Sequence, residues 1–436
     1  MNKIYETDSY KMECETVITG CVKTADGVYI SVEDSIFFPE EGGQYADTGR
    51  ISCENLEFDV LDGIIVGANT DKIKPLDEMQ AGEHDKFASG SPSGIWYKID
   101  YTESCKSSCN NLTDITDTLV INSKIRCFLD FDKRFDRMQN HSGEHILTGT
   151  IHNDYGCNNV GFHLSDEGFV TLDLDMPLTY EQIMEEEKKA NAVIYKNLPI
   201  VPSFPSKEEL KNITYRSKID IEGQVRLITI GDAKDPVDVC ACCAPHVAYT
   251  GEVGIIKVIS VVNWKGGVRI SILCGRRALE YINHRQDIIM GLTDLLTTNE
   301  DNLITQAGRH IEEIKELRSK YASALETDII SRIEKGDPDI ARTHLVFVAS
   351  DFPQGSLKNT YNALKERFSG YVGIFAGSDE EGYRYLAGSK DTDSKTLIPI
   401  LGKIGAKGGG NHDMIQGRVA SARSDIEALF TGLNHS

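Results

Sequence analysis

No stretch of this 436-residue chain approaches the roughly 18 consecutive apolar residues that a membrane-crossing helix needs. Its amino terminus, MNKIYETDSY, lacks the apolar core of a secretory signal. No membrane partner is expected, and the expected location is cytoplasmic. A disulfide framework is missing as well, because the eleven cysteines are odd in number, scattered, and all precede residue 275. They read as reduced thiols, most of them small buried residues. Positive charge is scarce: 46 Lys and Arg face 67 Asp and Glu, for a formal net charge of −21. A field of that sign excludes a broad electrostatic grip on nucleic acid, so such a partner requires a local basic groove.

What remains is ordinary globular material, 40% hydrophobic and 26% charged. A chain of this length can bury several cores, and two or three domains are expected. Residues 1 to about 100 read as short strands (17–20, 27–30, 58–61) broken by Gly, Asp and Asn, which predicts a small β-barrel-like domain. Between about 116 and 275 strands at 169–174 and 268–273 mix with helices, and residues 180–196 form a helix capped by Thr179. From Leu279 to about Glu334 the pattern turns helical. Leu303, Ala307, Ile311, Ile314, Leu317, Tyr321, Leu325 and Ile329 recur every three or four residues. This stripe reads as an internal packing face, and its length also admits a homodimer seam or a rigid connector. The last hundred residues predict a separate α/β unit, with strands at 344–349, 371–376 and 383–387 and helices at 356–368 and 396–404. The fold class is therefore α+β, with an α/β unit at the carboxyl end.

Two short strings carry the chemistry, HSGEH at 141–145 and CCAPH at 242–246. His141 and His145 stand four apart, so a helix puts them on one face about one turn from each other. Cys242 and His246 repeat that spacing. Three imidazoles and one thiolate suit zinc best among common biological metals. A lone H-x3-H pair is more often two histidines on a solvated helix face, but the second pair makes a metal site the better reading. Cys240, Cys243 and the pair Cys105 and Cys109 stay open as rival ligands. HSGEH is not the protease string H-E-x-x-H, because Glu144 directly precedes the second histidine and faces elsewhere.

Two glycine-rich segments follow. In FFPEEGGQYADTG, residues 37–49, Pro39 with Gly42 and Gly43 fix a tight loop, and Gln44 leaves it able to donate and accept hydrogen bonds. In GAKGGGNHDMIQG, residues 405–417, Gly408, Gly409 and Gly410 permit positive φ and close backbone approach. The second segment lacks the G-K-[ST] ending and the G-x-G-x-x-G spacing of phosphate loops. A structural turn presenting Asn411, His412 and Gln416 is preferred. Residues 337–436 carry eleven basic and twelve acidic side chains, so this tail repels a polyanion least.

FFPEEGGQYADTG, MQNHSGEHIL, VGFHLSDEGFVTLDLD, CCAPHVAYTGEVG and GVRISILCGRRAL occur in that order. Together they resemble the free-standing alanyl-tRNA editing proteins of the long AlaX type, which are similar to the editing half of alanyl-tRNA synthetase. The resemblance implies a β-barrel-like domain at 1–100, a zinc-containing editing domain at 101–278, a helical connector at 279–336 and a DHH-associated α/β domain at 337–436. No room is expected for an aminoacylation domain. The implied activity is ATP-independent hydrolysis of the ester linking serine or glycine to alanine tRNA. Zn2+ would be held by His141, His145, Cys242 and His246. A pocket built for alanine rejects serine and glycine poorly, so a second site must remove them. Ser35, standing where the family carries a threonine, and Gln44 are the candidates for reading the serine hydroxyl. Glu144 is a candidate partner of the ligands or proton acceptor. Arg276, Arg277, Lys133 and Arg134, with Lys407 and Asn411 in the tail, are the candidate tRNA contacts. In HSGEH, Ser142 and Gly143 replace the usual threonine and alanine, while all four implied ligands are kept. A deacylase for another aminoacyl-tRNA, such as the threonine system, and a non-catalytic tRNA-binding zinc protein are the competing readings.

Overall fold

A computed structural model describes residues 1–24, 27–66, 94–108, 115–164, 168–217 and 223–434. The chain divides into two units, Met1–Asp287 and Ile288–Ser436. In the first, six strands close a barrel: β1 (Glu13–Thr24), β2 (Gly27–Val32), β3 (Gly49–Cys53), β4 (Leu56–Val66), β5 (Gly94–Tyr101) and β6 (Lys124–Leu129). Their order around the barrel is β1-β2-β5-β4-β3-β6, all antiparallel, with β6 returning to β1 through Cys14 opposite Cys127. Closure leaves no open sheet edge, and inward residues such as Ile18, Ile30, Phe58, Ile99 and Ile125 fill the interior. The strands expected at 17–20, 27–30 and 58–61 lie in β1, β2 and β4. The sixth strand is drawn from beyond residue 100.

Directly after the barrel comes α1 (Phe131–Tyr155). Asp130 caps it by accepting from the Lys133 amide, and Gly156 in the left-handed region ends it. This helix is buried on nearly every side because two cores share it. Met138, Ile146, Leu147 and Ile151 enter the second core, while Arg134 and Arg137 reach back to the barrel loop at Asp47 and Ala46. The second core lies under a four-stranded antiparallel sheet made of β7 (Asn159–His163), β8 (Val170–Leu174), β12 (Ile256–Trp264) and β13 (Gly267–Cys274), in the order β12-β13-β8-β7. Helix α2 (Tyr180–Tyr195) packs on it, opened by a reciprocal capping box between Thr179 and Gln182. A smaller sheet, β9 (Ile200–Ser203), β10 (Leu227–Asp232) and β11 (Asp235–Ala241), carries the chain to CCAPH.

The helical stretch expected from Leu279 to about Glu334 consists of two helices. Helix α3 (Gly275–Leu296) ends before a short 3-10 turn at Glu300–Asn302, where the Asn299 side chain accepts from the Asn302 amide, and α4 (Leu303–Lys335) follows. Only the end of the apolar stripe is an internal packing face. Leu325, Ile329 and Ile333 join a core of the second unit, whereas Ile311, Ile314, Leu317 and Tyr321 are at least half exposed. That unit is a five-stranded mixed sheet: β14 (Leu345–Val348), β15 (Tyr371–Ser378), β16 (Gly382–Ser389), β17 (Lys407–Gly410) and β18 (Ile415–Val419), in the order β14-β15-β16-β18-β17. Helix Gln354–Arg367 contributes to one core and helix Arg423–Asn434 to another, in layered α/β fashion. The glycine-rich tail segment is the β17–β18 hairpin with Asn411 in its turn. Gly408 and Gly410 serve close approach of the partner strand, but positive φ falls at Gly405 and not at the three glycines expected to use it. Among the described residues no helix is long and apolar enough to cross a membrane.

Candidate metal centre

Helix α1 presents His141 and His145 from one face, and the segment leaving β11 presents Cys242 and His246. One ligand atom from each lies within 4.8 Å of all the others. Nε2 of His141 is 3.5 Å and Nε2 of His246 is 3.3 Å from Cys242 Sγ. The three histidines are no more than 5% exposed. Each ring is tied at Nδ1 to a residue outside the set. His141 Nδ1 donates to Gln44 Oε1 (2.8 Å), His145 Nδ1 donates to Asp238 Oδ2 (3.2 Å), and His246 Nδ1 lies 3.0 Å from Ser142 Oγ. Tying Nδ1 leaves the other ring nitrogen as the lone-pair donor, the arrangement that metal-binding histidines adopt.

Electrostatics favour a cation here. Burial alone would push the Cys242 thiol up, yet the imidazoles of His141 and His246 hold it well below the usual thiol range. Burial pulls His246 down to about 3, so its ring is neutral. Burial also acts to lower His145, but Glu144, Cys240 and Asp238 overcome it and hold the ring well above the ordinary histidine value. A thiolate, a neutral imidazole and a position that attracts positive charge fit a divalent metal of the N/S-preferring kind. His141, His145, Cys242 and His246 can hold one.

Gln44 reaches this set through a tight turn. Glu41 and Gln44 exchange both backbone hydrogen bonds across Gly42 (φ +62°) and Gly43 (φ +85°), a type I′ turn. Gly43 also touches β7, its carbonyl accepting from the Leu164 amide at 2.8 Å. The Gln44 side chain is fully buried; its Oε1 serves His141, and its Nε2 has no hydrogen-bond partner among the described residues. Phe162 packs on the His141 ring at 4.6 Å between centroids.

Ser35 makes its hydrogen bonds within the barrel. Its hydroxyl sits in the barrel interior 2.7 Å from the Tyr97 hydroxyl and accepts from the Phe37 amide at 3.1 Å. Glu144 borders the set, its Oε2 3.5 Å from His145 Nε2, while its Oε1 accepts from Asn159 Nδ2 and from the Thr148 hydroxyl. The two departures from the family string have physical reasons. Ser142 keeps the hydroxyl that meets His246 and also accepts from the Val247 amide. Gly143 leaves room for Cys274, whose sulfur a Cβ at that position would overlap.

Of the candidate tRNA contacts, Arg134 is corrected. It is fully buried, its guanidinium forked onto Asp47 and the Ile36 carbonyl, because α1 needs an anchor to the barrel more than a phosphate ligand. Arg277 is mostly buried and clamps Asp136 at 2.6 Å. Lys133 and Arg276 are more than half exposed. Lys407 and Asn411 lie exposed on the hairpin of the second unit. Among the rival ligands, Cys240 sits with His145 and Asp238 in a neighbouring group, Cys243 packs near Gly42, Cys105 accepts from the Glu57 amide, and Cys109 lies outside the described residues. Asp238 and its partner Arg216 were missed from sequence. The signal was there: alternation along D-V-C-A-C turns Asp238 and Cys240 to the buried face of β11 on the way to Cys242.

Residues 225–271, which include Cys242 and His246, match the family described as the threonyl and alanyl tRNA synthetase second additional domain. That segment, which carries two of the four donors, is thus similar to a domain of those synthetases. Along nearly its whole length the chain is similar to the alanyl-tRNA editing protein AlaX-L of Pyrococcus horikoshii, 24% identical over 98% of this chain and 96% of that protein. It is also similar to the alanine–tRNA ligases of Caldivirga maquilingensis (23% identical, 95% of this chain, 42% of the ligase) and Natronomonas pharaonis (25%, 99% and 43%). It spans about two fifths of the length of those ligases. The resemblance to the long-form alanyl-tRNA editing protein therefore extends over 98% of the chain.

Proposed function

We propose that this protein is a trans-editing hydrolase that deacylates alanine tRNA carrying serine, and also glycine, at a zinc centre held by His141, His145, Cys242 and His246. One observation supports the reading most: three oriented imidazoles and a lowered thiolate converge beside a buried amide donor, Gln44 Nε2, that has no partner among the described residues. A donor left unpaired in a dry site is costly, so it calls for an acceptor on the substrate. The serine hydroxyl is such an acceptor, and alanine lacks it. A zinc ion bound there would supply a fixed positive charge beside the aminoacyl end. Four protein ligands make a closed site, which favours holding and orienting the aminoacyl end over generating a nucleophile. Gln44 also fixes the His141 ring. Glu144, tied to Asn159 and Thr148, supports the wall beside His145. The low dielectric around the buried histidines strengthens each of these interactions.

The AlaX-L and ligase relatives, together with the site, support this substrate class and the tRNA partner. Lys133 and Arg276 in the first unit, with Lys407 and Asn411 on the tail hairpin, are proposed to contact phosphates. The domain boundaries proposed are those implied by the resemblance. The test is deacylation of seryl-, glycyl- and alanyl-tRNA for alanine, with metal analysis of the same sample. We expect one zinc per chain and hydrolysis of the seryl ester with alanine spared, while the glycyl ester tests whether the site also selects by size. Tight tRNA binding without turnover would instead support a non-catalytic zinc protein, and preference for seryl-tRNA for threonine would move the assignment to that system.

A further inference from the structure

The three histidines are not held alike. Gln44 offers His141 a neutral amide oxygen and Ser142 offers His246 a neutral hydroxyl, whereas His145 faces the carboxylate of Asp238. That carboxylate is itself clamped. Arg216 Nε donates to Oδ1 at 2.7 Å and its Nη2 donates to Oδ2 at 2.8 Å and to the Thr148 hydroxyl at 2.9 Å. The Arg216 backbone is pinned as well, its amide donating to the Val239 carbonyl and its carbonyl accepting from the Ala241 amide. Asp238 is 5% exposed. Helix α1 makes room for it: Gly149 stands one turn beyond His145, and a Cβ there would come within 2.8 Å of Asp238 Cβ and 2.9 Å of the Val237 carbonyl oxygen. A forked arginine, a carboxylate and an imidazole thus form one chain of bonds, seated against a helix position that only glycine can occupy without displacing it.

We propose that Asp238, clamped by Arg216 and seated against Gly149, is the positioning residue that fixes the His145 ring and makes it the most tightly oriented member of the donor set. A carboxylate on Nδ1 locks the tautomer, stops ring rotation and makes Nε2 a stronger donor than a neutral partner does. Arg216 acts only through Asp238, by holding both carboxylate oxygens in one plane. The inference rests on the metal reading given above and deepens it.

The experiment uses the full chain and zinc alone, with no tRNA. Zinc affinity is measured by chelator competition, and Co2+ is substituted to read the ligand field by visible absorption. Asp238→Asn, nearly isosteric, is expected to weaken zinc binding by about 10- to 100-fold and to shift the cobalt bands. Gly149→Ala, which touches no ligand, is expected to act in the same direction by pushing Asp238 away. Arg216→Met is expected to weaken binding in the parent and to add less than about twofold in the Asp238→Asn background, as a coupled pair requires. Zinc affinity within twofold of the parent and an unchanged cobalt spectrum in both Asp238→Asn and Gly149→Ala overturn the proposal. A parent chain that holds no zinc overturns the functional reading along with it. A parent that holds zinc and deacylates, with variants that do the same, removes only the role of Asp238.

Discussion

The two glycines before Gln44 are not equivalent, and adding one methyl group to each separates their roles. Gly42 and Gly43 both lie at positive φ, where a Cβ costs roughly 1–2 kcal/mol. For Gly42→Ala that is nearly the whole effect, since the new methyl meets only Cys243 Sγ at 3.7 Å, an ordinary contact. For Gly43→Ala the methyl overlaps the Phe162 carbonyl oxygen and lies 3.1 Å from Cδ1 of the same residue. That carbonyl belongs to β7 and cannot retreat without breaking the sheet, so overpacking adds about 1–3 kcal/mol. Urea unfolding of the two variants under saturating zinc should therefore give losses of about 1–2 and about 2–5 kcal/mol. Activity should separate further. Pushing Gly43 off β7 drags Gln44 away from His141, and a displacement near 1 Å at a reacting group costs on the order of a hundredfold in rate. Equal destabilisation of the two variants, or a larger loss for Gly42→Ala, would refute the turn geometry and the role assigned to Gln44.

Replacing Cys242 with alanine should remove bound zinc and seryl-tRNA deacylation together; metal analysis with full activity in a zinc-free protein would contradict the site. Gly143→Ala should destabilise by about 1–3 kcal/mol through overlap with Cys274, and Cys274→Ala should restore most of that loss in the double variant, read by thermal unfolding. Asp47→Ala leaves the fully buried Arg134 without its carboxylate and should cost about 3–5 kcal/mol, far more than loss of a surface pair. Asp173 is held below the usual carboxylate range by the hydrogen bond and charge of Arg269, its cross-strand neighbour. A lowered folded pKa contributes stability above about pH 4 that disappears as pH falls through the folded value. Asp173→Asn should accordingly cost about 0.5–1 kcal/mol at pH 7 and progressively less as the pH is lowered below about 4, and a cost that does not change with pH would show that the charge is irrelevant.

Much of the site is legible in one dimension because its spacing is local. His141 and His145 are one helical turn apart whatever surrounds them, and the I′ signal of paired glycines needs only neighbouring residues. Thr179 announces α2 in the same way, through a cap complete within four residues. What resists reading is what tertiary packing decides. The barrel takes its last strand from 124–129, beyond the run of short strands, since closure depends on pairing between β6 and β1, more than a hundred residues apart in sequence. Arg134 resembles a surface cation until Asp47, from a distant loop, arrives to bury it. Ser35 carries the hydroxyl that recognition calls for, but Tyr97 and the Phe37 amide claim it inside the barrel. The stripe on α4 keeps perfect periodicity while only its last turns find a core, because periodicity states which face is apolar and says nothing of what meets it.

The barrel loop is fastened to α1 at several points, among them Asp47 gripping Arg134, the Ala46 carbonyl accepting from Arg137 and Gln44 holding His141. Loop and helix must therefore travel as one piece, and the segment bearing the amide is no door. Under the proposed function, an opening that admits the aminoacyl end would therefore come from elements other than this loop and helix.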